Sequence, residues 1–428
     1  MAICIDSLKF ARSHVASWAK PEKRSVEFPL PLFGASNHVQ CMPKGVVGVV
    51  APWNYPVALA FHPLAGIFAA GNSVMIKPSE FTPKTADLMA KLFKESFDES
   101  VAYVCTGGPE VGIAFSQLPL DHLLFTGSTE VGRLVAKAAA ENLVPCTLEL
   151  GGKCPVIVGK SADLDVAALR IAHAKVLNAG QTCIACDYVF VPAGEKDAFV
   201  EAFVKAVAEM FPKGVEASPD YTSVITDRQF GRVVALVDEA RAAGVEVVAA
   251  TGGDDDGGDA LESGKPPRRM APTLVVNPGD DLKISSEEIF GPPLVIRTYD
   301  AVEDAVAYVN ARPRPLALYY FGTDKAEEDK ILPRVWAGGV CVNDVGMHAV
   351  QEDMPFGGVG ASGYGKYFGH EGFLEFSHVR SVHRQVPTSR QYVLNGVYPP
   401  YDKKGSMLPT VLGMKLTPAK DGLPCCIL

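Results

Sequence analysis

The chain has no surplus of positive charge. Its 40 Lys and Arg stand against 49 Asp and Glu, a net charge of -9. Phosphate-rich partners need a basic face, so nucleic acid is excluded as a main partner. Cysteine is scarce: ten in 428 residues, without regular spacing, far below a disulfide scaffold. The start, MAICIDSLKF, lacks the basic region and apolar core of a secretory signal. A reducing cytoplasmic setting with mostly free thiols is expected. One long stretch lacks charge altogether, since residues 45–76 contain no Asp, Glu, Lys or Arg. That length would span a bilayer. Pro52, Pro56 and Pro63 interrupt it, however, and Asn54 lies among them. An interior proline costs a helix about 3 kcal/mol, and Asn54 would be an uncompensated polar group in lipid. The segment reads instead as a strand over 45–51, a turn, and a buried helix over 57–70.

What is present is ordinary globular composition, 48% hydrophobic and 21% charged, in a chain long enough for two or three domains. Short apolar strands alternate with longer helical patterns. After the helix over 57–70, strands are predicted at 72–77, 101–104, 122–125 and 146–150, with helices at 82–93, 109–117 and 128–141. A second series begins at Gly151-Gly152. It has strands at 155–158, 187–191 and 245–249, helices at 163–178, 195–210 and 227–243, and strand, helix, strand, helix, strand over 294–343. Such alternation predicts βαβ units, parallel sheets, and ligand loops at the carboxyl ends of the strands. The expected division is 1–150, 151–360 and 361–428, with two α/β domains meeting near 149–153. The acidic, Gly-rich run 252–258 reads as a surface loop. From about Arg384 the chain is expected to be an extended tail, ending in Cys425-Cys426-Ile427-Leu428.

Candidate chemistry lies at the ends of these strands. The one G-x-G-x-x-G match, Gly358–Gly363, follows a turn and precedes no βαβ unit, so it is rejected as a phosphate loop. Phe125-Thr-Gly-Ser-Thr-Glu-Val-Gly132 leaves a strand and opens a helix, where free N–H groups suit a pyrophosphate. Lys77 and Glu80 also close a strand, and offer a charge pair to ribose hydroxyls. Cys183 and Cys186 form a C-x-x-C in NAGQTCIACD. A structural zinc site would need a second such pair or two histidines. A dithiol exchanger would place the pair at a helix start, whereas this pair follows a helix. Two buried packing thiols are the remaining reading from spacing alone.

Seven motifs appear in a fixed order: PWNYP at 52–56, IKPSE at 76–80, FTGSTEVG at 125–132, LELGGK at 148–153, GQTC at 180–183, EEIFGP at 287–292 and PFGGVGASG at 355–363. Their order resembles the aldehyde dehydrogenase superfamily from about residue 10 to about residue 385. RPRPLALYYFG, RRMAPTLV and the run 342–373 are similar to its class 3 branch, in particular to coniferyl-aldehyde dehydrogenases. The resemblance implies an α/β fold with a Rossmann-like cofactor domain, a second α/β catalytic domain and a β oligomerisation arm. The arm would be built from 25–41 and about 373–385 and would join a homodimer.

By the same resemblance Cys183 is the nucleophile, Glu149 the general base and Asn54 the oxyanion donor. Trp53, Lys77, Glu80, Gly127, Ser128, Gly132, Glu288 and Phe290 would bind NAD, or NADP, with no metal. Lys77 and Glu80 would take the adenosine ribose, Ser128 and its neighbours the pyrophosphate, and Glu288 with Phe290 the nicotinamide riboside. The implied reaction oxidises aromatic or medium-to-long-chain aliphatic aldehydes to acids. The alternative is a relative that keeps the fold without turnover.

Three further expectations follow. Cys183 needs a lowered pKa, supplied by the fold or by bound cofactor. Relative to class 3 enzymes about 60 N-terminal residues are missing, a length taken from the resemblance. The terminal Cys425-Cys426-Ile427-Leu428 matches a C-a-a-X box, and its Leu favours geranylgeranyl in a eukaryotic host; only that modification would bring the protein to a membrane.

Overall fold

A computed structural model describes residues 2–28, 30–215, 218–250 and 268–398. The acidic run at 252–258 and the terminal Cys425 lie outside the described residues. Two compact units divide the chain: 1–18 with 43–377, and 19–42 with 378–428.

The larger unit contains two sheets. In the six-stranded sheet the order is Gly363–Tyr364, Cys146–Leu150, His122–Gly127, Val46–Val50, Ser73–Lys77, Ala102–Val104. All neighbours are parallel except the first pair. Parallel strands are covered on both faces, so their sequences are continuous apolar runs rather than alternating ones. VVGVV and HLLFTG are such runs, and Val47, Val49, Leu123 and Leu124 are essentially inaccessible. The covering helices are amphipathic. Pro83–Ser96 buries Ala86, Met89 and Phe93, and Thr129–Ala140 buries Gly132, Val135 and Ala139, both at three- and four-residue steps.

The seven-stranded sheet runs Glu246–Ala249, Thr273–Val276, Leu294–Tyr299, Cys186–Pro192, Cys154–Val158, Ala317–Phe321, Gly339–Val342, with only the first pair antiparallel. Asp163 and Thr226 cap helices Leu164–Val176 and Asp227–Ala242, each side chain accepting from a first-turn N–H, as N-cap residues do. None of the described helices is long and apolar enough to cross a membrane.

Several expectations need correction. The helix over 57–70 is two pieces, Ala58–Phe61 and Leu64–Ala69, because Pro63 has no N–H to continue the ladder. The helix over 163–178 ends at Val176. Thr273–Val276 and the N-terminal helix Ala2–Trp18 were not among the predicted elements. The rejected glycine fingerprint has a different task. A Cβ on Gly363, whose φ is +114°, would lie 1.8 Å from the Leu148 carbonyl oxygen. The glycine lets the returning chain pair with Leu148-Glu149.

The smaller unit is a three-stranded sheet in the order Glu22–Arg24, Ser36–Pro43, Ser377–Arg384. Ala35, Val386 and Leu394 form its own small core. Residues 373–375, at the start of the second predicted arm segment, are the last of helix Gly369–Glu375 instead. Within the tail expected to be extended, Thr388–Val397 is a 3₁₀ segment, and 399–428 lie outside the described residues.

Candidate active site

The chain around Cys183 turns in a way few sequences permit. Asn178, Ala179 and Gly180 all have positive φ, at 51°, 51° and 70°, a region costly for residues with a Cβ. A Cβ on Gly180 would sit 2.2 Å from the Gly291 carbonyl oxygen, so only glycine fits. Polar contacts hold the turn. Gln181, 2% exposed, donates through Nε2 to Asn178 O at 2.9 Å and accepts from Ile225 N at 2.9 Å. Asn178 Nδ2 donates to Asn54 O at 3.0 Å, Asn54 Nδ2 to Gln181 O at 3.0 Å, and the Tyr55 hydroxyl meets Thr182 Oγ1 at 2.8 Å. The PWNYP turn and the GQTC loop are thereby one hydrogen-bonded body.

Glu149 stands on the last turn-side of strand Cys146–Leu150 and is 3% exposed. Neither of its carboxyl oxygens has a hydrogen-bond partner, and the same holds for Asn54 Oδ1. Burial pushes the Glu149 pKa well above the carboxylate range; Glu375 adds to the rise and Lys366 opposes it. The sequence argument expects a lowered Cys183 pKa, and the chain by itself does the opposite. Burial, then the Glu288 and Glu149 carboxylates, push it up to about 12.

Cys186 is fully buried in the next strand and raised to about 11 by burial. Cys154, also fully buried, donates its thiol to the Cys183 carbonyl oxygen at 3.4 Å. The eight described cysteines are all free thiols.

Of the remaining predicted residues, Lys77 and Gly127 close parallel strands, whereas Glu288 and Phe290 precede strand Leu294–Tyr299, at its amino end. Lys77, 4% exposed, meets Glu80 at 2.8 Å. Partial burial works to raise the Glu80 pKa, but the Lys77 bond and its own N–H hold it below the usual range. Gly127 closes its strand, and Ser128 caps the helix by accepting from Val131 N. Gly132 lies a turn further in, its N–H donating to Ser128 O at 2.9 Å. Glu288 accepts from the Gly152 N–H; burial and Asp187 push its pKa to about 8. The ring of Phe290, at φ 46°, meets Trp53 edge-on at 5.4 Å.

Sequence reasoning missed Tyr367, which is 2% exposed and faced by both Glu149 and Cys183. It also missed the bonding role of Gln181. The GQTC motif named Gln181 without its partners, and no signal pointed to Tyr367.

A half-buried cysteine, an unpartnered buried glutamate and an asparagine amide share this site of an α/β fold, side chains suited to thiol chemistry. Residues 2–382 match the aldehyde dehydrogenase family. A probable coniferyl aldehyde dehydrogenase of Caulobacter vibrioides is 52% identical over 93% of this chain and 81% of its own. A substrate-bound AldH from Staphylococcus aureus superposes with a TM-score of 0.86 at 37% identity, covering 96% of this chain and 86% of that one. The NAD+ complex of an aldehyde dehydrogenase from Mycobacterium tuberculosis gives 0.76 at 32% identity, covering 89% and 77%. The chain belongs to the aldehyde dehydrogenase family.

Proposed function

We propose that this enzyme oxidises aromatic or medium-to-long-chain aliphatic aldehydes to carboxylic acids with NAD(P), and that coniferyl aldehyde is representative of its substrates. One observation supports the catalytic reading above others. Glu149 is buried with both oxygens unpartnered, an arrangement that is costly unless a substrate or water is to be met there.

The Cys183 thiol gives its proton to solvent and the sulfur attacks the aldehyde carbon, because an aldehyde has no leaving group until a tetrahedral adduct forms. Asn54 Nδ2 has two hydrogens and spends one on Gln181 O. The other, with the Cys183 N–H, serves the thiohemiacetal oxyanion. Bound NAD(P) would supply the hydride acceptor; loss of hydride from the adduct leaves a thioester on Cys183. Glu149 then takes a proton from the water that hydrolyses the thioester, and the acid departs. Ionised Glu149 is the working form, so its raised pKa sets the alkaline side as the faster one.

The residues present fit a dinucleotide. Lys77 and Glu80 suit the adenosine ribose. Gly127 and Ser128 lead into a helix start suited to the pyrophosphate. Gly132 acts a turn later by keeping that helix close to the sheet. Trp53, Glu288 and Phe290 suit the nicotinamide riboside. The carboxylate of Glu80 disfavours a 2′-phosphate and favours NAD. In domain terms 1–150 bind cofactor, 151–360 carry the nucleophile, and 361–428 return to complete the arm. The arm's outer strand Ser377–Arg384, largely exposed along its length, offers an edge for pairing with a second copy in a cytoplasmic homodimer.

The test follows the absorbance of reduced nicotinamide with coniferyl aldehyde, benzaldehyde and hexanal. Folded protein that turns over none of them, with NAD or NADP, defeats the proposal.

A further inference from the structure

Two lysines and an aspartate beneath the site have no part in the chemistry above. Asp187 lies in strand Cys186–Pro192 and Lys175 in helix Leu164–Val176, with side chains 2% and 0% exposed. Lys153, at 11%, closes the LELGGK motif. Buried charges are costly unless paired and hydrogen-bonded, so their partners reveal what they hold.

Lys175 Nζ donates to Cys186 O at 2.9 Å and stands 3.8 Å from Asp187 Oδ1. Lys153 Nζ lies 3.3 Å from Asp187 Oδ2, 3.0 Å from Ile284 O and 2.8 Å from Glu287 O. An ammonium has three hydrogens, and these three acceptors use them all. Asp187 Oδ2 also accepts from Ile289 N at 3.0 Å. The cluster thus grips residues 284, 287 and 289, and the next residue is Phe290 in its left-handed conformation. Two lysines against one aspartate leave an excess positive charge, and Glu288 acts on Lys153 as the further negative group. Apolar side chains would fill this volume at least as stably. They would not fix the direction of three backbone groups.

We propose that Lys153 and Asp187 are positioning residues for the nicotinamide end of the cofactor. They lock 284–289 in the register that presents Glu288 and Phe290, while Lys175 ties Asp187 to the carbonyl of Cys186, three residues from the nucleophile. This rests on the reading that Glu288 and Phe290 hold the nicotinamide riboside.

The test compares binding of NAD+ with binding of ADP-ribose, which lacks the nicotinamide ring. Lys153→Met keeps the stem and leaves Asp187 paired with Lys175 and the Ile289 N–H. It is expected to raise the NAD+ dissociation constant about tenfold, to leave ADP-ribose unchanged, and to lower kcat at saturating cofactor. Lys153→Arg is expected to recover part of the loss. Glu288→Gln serves as the reference and should also weaken NAD+ selectively. If Glu288→Gln is selective and Lys153→Met is not, the positioning proposal is overturned and the nicotinamide reading stands. If neither is selective, both fall. Should Lys153→Met fail to fold, Asp187→Asn, which keeps the shape and an acceptor for Ile289, is measured in the same way and decides the matter.

Discussion

The side-chain nitrogen of Asn54 donates to the carbonyl oxygen of Gln181 at 3.0 Å, and Asn178 returns the link by donating to the Asn54 carbonyl at the same distance. These two bonds span 127 and 124 residues of sequence and hold the loop of Cys183 to the turn that carries Asn54, its proposed oxyanion donor. Asn54→Ala removes the donor and one of the two bonds. We expect kcat for aldehyde oxidation to fall about 10²–10³-fold, with a lower thermal midpoint as well. An unchanged kcat in folded protein would remove Asn54 from the mechanism.

The two cysteines of the C-x-x-C differ in exposure, and their substitutions should differ in effect. Cys183→Ala is expected to abolish turnover, since Cys183 is the thiol proposed to form the adduct. Cys186, fully buried at the start of a strand, acts as a small packing residue. Cys186→Ala should keep most of the activity, at a stability cost of about 1 kcal/mol. Equal loss of turnover in both variants would restore a paired-thiol mechanism.

Glu149→Gln separates the two halves of the reaction. Thioester formation does not need the base, so a burst of reduced nicotinamide equal to the enzyme concentration should remain. Steady-state turnover should fall about 10²–10⁴-fold. A variant that loses the burst in proportion to the steady state would place Glu149 in the first half instead. Because burial holds the Glu149 pKa up, wild-type turnover should rise with pH where hydrolysis limits it.

Glu288 makes a pH prediction of its own. Its folded pKa is raised from 4.5 to about 8 by burial and by Asp187, so the folded state favours the protonated form. Its contribution to stability is therefore greatest below about pH 4.5 and declines as pH rises through 8, the reverse of an ion-paired carboxylate. Cofactor binding runs the other way, since the ionised carboxylate is the better acceptor for ribose hydroxyls. The NAD+ dissociation constant should fall as pH rises through this range, and Glu288→Gln should flatten that dependence. A Glu288→Gln profile identical to wild type would assign the titration to another group.

The parallel strands were the most legible part of the chain. Strands covered on both faces are written as unbroken apolar runs, and VVGVV, HLLFTG and CPVIV show that pattern. Thr273–Val276 was missed because four residues carry too little periodicity to stand out, and Pro63 divided a helix that the apolar pattern had joined. At the site, motifs gave residue identities but not their bonding. Lys153 and Glu287 are 134 residues apart, and nothing near either predicts their meeting. The direction of the Cys183 pKa was equally invisible, because it depends on burial and on carboxylates that only the fold brings near.

Gly180 and Gly291 meet as bare backbone, so tightly that a methyl group on the first would penetrate the carbonyl of the second. No side chain mediates this contact between the loop of Cys183 and the loop of Glu288 and Phe290. At this point the distance between the two loops is set by main chain against main chain, while the Lys153–Asp187 cluster fixes the second loop from below. Side chains elsewhere around the pocket can be exchanged to admit a different aldehyde without changing that spacing. Selectivity and reaction geometry are in this sense separately adjustable, and an engineer could retune the first while leaving the second alone.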